Sequence, residues 1–288
     1  MRLQVVRSSF RETRRGWAAE LLAMLFGLVG FAVSCSHAGS VRVMSWAEYE
    51  NVRHSVPYVL DLSTSNGGRL VYVGSEHTND PHSPSIATIE ALWSRVRPEL
   101  AFNEGGDPPI ASGREEAIGY GEAGFVRFLA ANAHTPFASL DPTKAQLAAR
   151  LNPVFGPELV KLAFVLSQVR RLRDASADSF EKHMALTFGI LNTTAGLEGR
   201  PRNLEELAQV FCLHFPETAS FRDVPDSWFD PVQRVNVMNE LSRRSNEERD
   251  RFAVQLLVNH VRQGRRVFAV VGASHVVMEE QALRRALR

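Results

Sequence analysis

Two tetrads, Gly74-Ser75-Glu76-His77 and Gly272-Ala273-Ser274-His275, place a histidine three residues after a glycine that itself follows an apolar run. Those runs, Leu70-Val71-Tyr72-Val73 and Val267-Phe268-Ala269-Val270-Val271, read as buried strands. A glycine directly after such a strand lets the backbone turn sharply, so each histidine is expected to stand over the sheet end, where open α/β sheets bind ligands. A third run, Leu100-Ala101-Phe102, leads to Glu104. Two imidazoles and a carboxylate would then meet at one ligand-binding edge. The fourth member is an arginine. In the last long helical stretch Phe252, Ala253, Leu256, Leu257, His260 and Val261 form an apolar stripe, and Arg249 lies one turn upstream of it. Arg251 is turned about 200° away, toward solvent. A cation near a helix start is disfavoured by the dipole, so Arg249 needs an anionic partner, either Glu104 or a bound oxyanion.

Other polar residues near these positions carry weaker signals. Glu76 puts a second carboxylate beside His77. Asp80 and His82 could add ligands, although Asp80 before Pro81 suits a loop-shaping turn. Asp141, before Pro142, ends another strand-like run and is a further candidate, while His260 on the apolar stripe reads as a core histidine.

The elements that must position these groups alternate. Pro57 to Ser63 and Leu70 to Val73 read as strands joined through Asn66-Gly67-Gly68, a hairpin-grade turn. Ile86 to Arg97 carries a helical stripe ended by Pro98, and the strand at 100–102 should lie parallel to the one before it. A helix over 124–132 and a short strand over 136–140 follow. From 143 to 265 the pattern is helical, with stretches near 143–151, 157–173, 179–190, 203–214, 227–244 and 247–264. The expectation is an α/β fold with a mixed, mostly parallel central sheet flanked by helices. One domain over residues 40–288 would carry a helical insertion at about 152–245.

Ahead of this domain, Arg11, Arg14 and Arg15 precede the 13-residue apolar run Leu21 to Val33, the layout of a secretory signal over residues 1–34. Two processing routes fit. Ala32-Val33-Ser34-Cys35 resembles a lipobox, which would anchor the chain to the membrane by a lipid on Cys35, at the periplasmic side of an outer membrane; Ser36-His37-Ala38 suits ordinary cleavage and a periplasmic or secreted product. Five arginines and two glutamates leave with the first 34 residues, so 33 basic and 32 acidic side chains become 28 and 30. That near-neutral balance gives no support to nucleic-acid binding. Cys35 and Cys212 are the only cysteines, so stability must come from the core.

Taken in order, His77, Glu104, Arg249 and His275 resemble the Tiki/TraB/GumN superfamily, whose wider relatives include erythromycin-esterase-like and ChaN-like proteins. Members share two Gly-x-x-His motifs, a glutamate after the second core strand and an arginine in the helix before the last strand. Glu248-Arg249-Asp250-Arg251-Phe252 resembles the family's Glu-Arg-Asn-x-x-Met segment. The likeness covers residues 70–288 without the middle, 145–240. Ser75-Glu76 departs from the Tiki and TraB branches, which usually carry threonine after the first glycine, and stands closer to the other two. Val276-Val277-Met278 replaces a glycine common after the second histidine.

The resemblance implies an exported hydrolase of peptide or ester bonds in a peptide or small-molecule substrate. A divalent metal, Mn²⁺ or Co²⁺, would be held by His77, His275 and Glu104, with Glu104 also a candidate general base and Arg249 stabilising the oxyanion. In a metal-free version His77 activates water, oriented by Glu76 or Glu104. The rival implications are a non-enzymatic ChaN-like lipoprotein holding haem or iron through histidines, and a member that only binds a peptide.

Overall fold

The computed structural model describes residues 41–288, so the expected export signal and Cys35 lie outside the described residues. Five strands, β1 (Tyr58–Ser63), β2 (Arg69–Ser75), β3 (Leu100–Asn103), β4 (Phe137–Ser139) and β5 (Arg266–Gly272), form one sheet in the order β1-β2-β5-β3-β4. β1 runs antiparallel to β2 and every other pair is parallel, which makes the sheet mixed and mostly parallel. The central strands are apolar on both faces because helices cover both, as parallel sheets require. Leu70, Val71, Tyr72 and Val73 of β2 and Val267, Phe268 and Ala269 of β5 are all fully buried.

Among the described residues ten helices accompany the sheet: α1 (Trp46–Tyr49), α2 (Pro84–Val96), α3 (Arg114–Gly119), α4 (Gly121–Asn132), α5 (Lys144–Phe155), α6 (Pro157–Arg171), α7 (Ala177–Asn192), α8 (Leu204–His214), α9 (Val237–Arg262) and α10 (Ala273–Ala286). Alternation along the strands sorts their side chains. Leu70, Tyr72, Val267 and Ala269 pack with Val254, Leu257 and Val261 of α9 and Val276 and Leu283 of α10. Val71, Val73, Phe268 and Val270 pack on the other face with Ile89 and Trp93 of α2 and Phe125 and Val126 of α4. Residues from Leu147 to Leu241, on α5 to α8 and the start of α9, build a third core of their own. No helix among the described residues is long and apolar enough to cross a membrane.

Three elements differ from expectation, one of them α3, which forms where the pattern predicts no helix. The stretches 227–244 and 247–264 are not two helices; α9 runs unbroken over Val237–Arg262 after a short 3-10 turn at Asp226–Phe229. No glycine or proline interrupts it, and Arg244 pairs with Glu247 and Glu248 across the expected break, one turn on. The last helix, α10, was absent from the sequence reading, and it carries His275 in its first turn.

The register explains the shared edge: Ser75 lies beside Gly272, and Asn103 lies beside both Val270 and Ser139. The parallel strands therefore end within two residues of one another along the same edge. The tetrad glycines serve this edge by close approach and not by a positive φ, which neither has. A β-carbon on Gly74 would come within 2.6 Å of the Cα of Ala273, and one on Gly272 would come within 2.6 Å of His77 Nε2. Each tetrad's glycine thus makes room for the other tetrad. The left-handed residue is His77 itself, at φ 60°.

Gly74→Ala pushes on backbone and should cost about 1–3 kcal/mol in urea unfolding. Gly272→Ala meets only the tip of an exposed ring, so its stability should change by less than about 1 kcal/mol while His77 is displaced. Equal losses in the two variants would contradict these contacts.

Candidate functional site

Four parallel strand ends deliver four polar groups to one place. His77 follows β2, Glu104 follows β3, Asp141 follows β4, and His275 follows β5 on the first turn of α10. Glu104 is their common contact. Its Oε1 accepts from Arg249 Nη2 at 2.8 Å and lies 3.5 Å from His275 Nε2. Its Oε2 accepts from the Gly272 N–H at 3.0 Å and lies 3.8 Å from His77 Nε2. Burial pushes the Glu104 carboxyl up, but His275, Arg249 and the Gly272 amide outweigh it and hold the group well below the usual carboxylate range.

Arg249 is fixed from three sides. Its Nε donates to Asp141 Oδ1 at 2.8 Å, its Nη1 donates to Asn246 Oδ1 at 3.0 Å, and its Nη2 bridges Glu104 and Asp141. Asp141 Oδ2 in turn accepts from the Gly105 N–H at 2.9 Å, tying the β3 and β4 ends together. Helix phase does place Arg249 against Glu104. Its Nε and both Nη atoms engage these acceptors, which makes Arg249 a positioning residue for Glu104. Arg251 is not free in solvent; it is half-buried and pairs with Glu247 and Glu248 of its own helix, at 3.2 and 2.8 Å.

Behind Glu104 lies a second polar layer that the sequence reading did not include. His275 Nδ1 shares a 2.5 Å hydrogen bond with Asp250 Oδ1, and Trp46 meets the same ring edge-on at 6.5 Å between centroids. Burial lowers the His275 pKa, but Asp250 and then Glu104 outweigh it, so the imidazole titrates well above its ordinary range and is a cation at neutral pH. Asp250 and Glu279 are both 1% exposed. Burial, reinforced by the Asp250 charge, pushes the Glu279 carboxyl far up, so it holds its proton. Asp250 Oδ2, Glu279 Oε2 and Tyr72 Oη have no hydrogen-bond partner, and a gap of about 10 Å³ lies among these residues. The signals for this layer were present in outline. Asp250 falls on the buried stripe of Ala253, Val254 and Leu257, and Glu279 lies one turn after His275.

The remaining candidates are placed elsewhere. Glu76 turns to the start of α2, where its carboxylate accepts from Ser83 Oγ at 2.5 Å and from Ser85 Oγ. Both its oxygens are taken by these serines, and its tie to His77 is one of charge without a hydrogen bond. Asp80 accepts from the His82 N–H at 2.9 Å and closes its loop. His77 stands at the surface with 65% of its side chain exposed. Its loop is held from below by Glu122, which is buried and accepts from the Thr78 N–H at 2.6 Å. Above it opens a groove of about 640 Å³, bounded by His77, Asn79, Glu104, Tyr120, Arg170 and Arg171 among others, a volume in the range of small-molecule sites.

Imidazole and carboxylate donors suit borderline divalent ions, and the Asp250–His275 bond is the outer contact that metal-bound histidines usually have. The expected donors His77, Glu104 and His275 do meet around the Glu104 carboxylate, whose two oxygens also accept hydrogen bonds from Arg249 and the Gly272 amide. Among the described residues the group whose ligand atoms all lie within 4.8 Å of one another is Asp250, His275 and Glu279.

Fold and site together define a mixed α/β protein with a carboxylate-centred imidazole and guanidinium cluster at its strand ends. No known family, curated protein or solved structure matches the chain.

Arg249→Ala would strand Glu104 and Asp141 and should cost about 3 kcal/mol, with poor rescue by lysine, which lacks the planar fork. Arg251→Ala removes half-buried ion pairs within one helix and should cost under about 1 kcal/mol. Urea unfolding of both compares them directly, and equal effects would break the assignment. Glu279 gives a pH test with a definite sign. Its folded pKa is raised, so the stability it supplies is full below its unfolded value and falls as pH rises, because only the unfolded chain then releases the proton. Glu279→Gln should therefore gain stability over the parent between pH 5 and 8 by up to about 1.4 kcal/mol per pH unit. A Gln variant less stable than the parent at pH 8 would mean that the carboxylate is ionised in the fold.

Proposed function

We propose that this chain hydrolyses an ester or amide bond in the groove over His77, in the manner the Tiki/TraB/GumN resemblance implies but with water activated by the imidazole. The observation that carries the reading is the contrast between the two histidines around Glu104. His275 is buried and held as a cation by Asp250 and Glu104, so it has no lone pair to offer. His77 is exposed in the groove, with the Glu104 carboxylate 3.8 Å from its Nε2.

With Nε2–H directed at Glu104, His77 Nδ1 is left with the lone pair that accepts a proton from water. The resulting hydroxide adds to the carbonyl carbon, and the imidazolium returns the proton to the leaving oxygen or nitrogen as the acyl bond breaks. Glu104 stabilises the transient charge on His77. Arg249, Asp141 and the Gly272 N–H keep that carboxylate ionised and in place. A 3.8 Å separation is long for a hydrogen bond, and such contacts commonly tighten when substrate fills a site.

A second reading rests on the unpartnered atoms Asp250 Oδ2, Glu279 Oε2 and Tyr72 Oη. A divalent ion on Asp250, His275 and Glu279 would satisfy the first two and supply Lewis acidity behind Glu104. A protonated Glu279 beside the Asp250 carboxylate accounts for the same pair of acids without an ion.

On 4-nitrophenyl esters, His77→Ala and Glu104→Gln should each lower kcat/KM by about 100-fold or more, while chelator-treated protein keeps its rate. A rate that disappears with chelator and returns with Mn²⁺ would favour the ion, and a Soret band on adding haem, with no hydrolysis, would replace both readings by a haem-binding one.

A further inference from the structure

The groove has two kinds of wall. The strand ends contribute His77 and Glu104, and the helical cluster contributes Arg170 and Arg171 from the last turn of α6. We infer that these two arginines bind an oxyanion, a carboxylate or a phosphate, carried by the substrate away from its scissile bond. The inference rests on the groove being the reaction site and adds what enters it.

Three observations support it. Neither arginine has a carboxylate within 4.0 Å among the described residues, whereas Arg173, two positions on, pairs with Asp226, and Arg200 and Arg202 pair with Glu206. Arg170 is partly buried with its guanidinium 5.0 Å above the Phe229 ring, a contact that orients the fork without neutralising it. The groove's own acids are spoken for: Glu104 is bound by Arg249, and Glu122 is buried under the Thr78 amide. A helix C-terminus favours cations, which accounts for arginines in the last turn but not for two adjacent ones left unpaired at a concave site. Both arginines line the same groove, and a guanidinium fork matches an oxyanion's acceptor oxygens. A neutral substrate would leave that field unused.

Calorimetry on the full chain with sodium phosphate and with sodium succinate as probes tests the site without needing turnover. Both should bind, and the double variant Arg170→Gln/Arg171→Gln should weaken binding by about tenfold or more, since charge-assisted hydrogen bonds are lost. Arg284→Gln, a surface arginine that lines a different groove, should leave binding unchanged. Tighter phosphate binding assigns the anion to a phosphoryl group, and tighter succinate binding assigns it to a carboxylate.

A second measurement links the anion to catalysis. The kcat/KM for 4-nitrophenyl hemisuccinate should exceed that for 4-nitrophenyl butyrate by about tenfold, through KM, and the preference should vanish in the double variant. Failure of both probes to bind, or binding that survives the double substitution, overturns the inference. Equal rates on the two esters overturn it while leaving the hydrolase reading intact. Arginine-dependent anion binding with no ester hydrolysed does the reverse.

Discussion

One carboxylate organises this edge of the protein. Glu104 accepts from a guanidinium and a backbone amide and faces two imidazoles, so four separate segments meet on two oxygen atoms. A buried anion on this scale is tolerable only when its desolvation is offset by several donors in good geometry. The parallel sheet supplies that geometry. β5 lies between β2 and β3, so the ends of all three strands and the start of α10 fall within reach of a side chain leaving β3. The two close glycines follow from the same demand, since a side chain at either would push the tetrads apart.

Charge alternates outward from that centre. Glu104 lies between Arg249 and His275; Arg249 continues to Asp141, and His275 continues to Asp250. Glu279 then ends the series as a neutral acid beside Asp250. Each ionised group has an opposite neighbour, and the one position that would place two carboxylates together keeps a proton instead. His77 stands outside this alternation. Its ring lies by the Glu104 carboxylate and over Gly272, sees solvent, and its backbone adopts a left-handed conformation that is disfavoured for a residue with a side chain. Strain of this kind collects at functional positions, and here Glu122 holds the loop that bears it.

The sheet was legible because parallel central strands are buried on both faces and read as unbroken apolar runs, as β2, β3 and β5 do. Glu104, His77 and His275 were legible as polar residues just past those runs, and Arg249 from helix phase. Asp250 and Glu279 were not, although each lies on an apolar face. A carboxylate there reads as an interruption until its partner is known, and His275 is 25 residues from Asp250. Glu76 shows the opposite error. Adjacency to His77 suggested a shared role, yet neighbouring residues past a strand end point in different directions, and Glu76 faces the serines that begin α2. The β-branched pair Val276-Val277 concealed α10, which forms because its buried face packs on β2 and α9. Tertiary packing overrode local preference there.

The helical cluster has its own hydrophobic core and needs nothing from the sheet's two cores to bury its apolar side chains. What it adds to the strand ends is therefore a surface. Residues on the sheet edge are locked by shared hydrogen bonds and cannot vary independently: changing Asp141 disturbs Arg249, and through it Glu104. Arg170 and Arg171 lie outside that network, on a helix whose buried face is occupied by Leu162, Val165, Leu166 and Val169. Their side chains can change without disturbing the centre. The chemistry proposed for the sheet edge and the recognition proposed for the separately packed helix could each be altered without loss of the other, because the two rest on different cores.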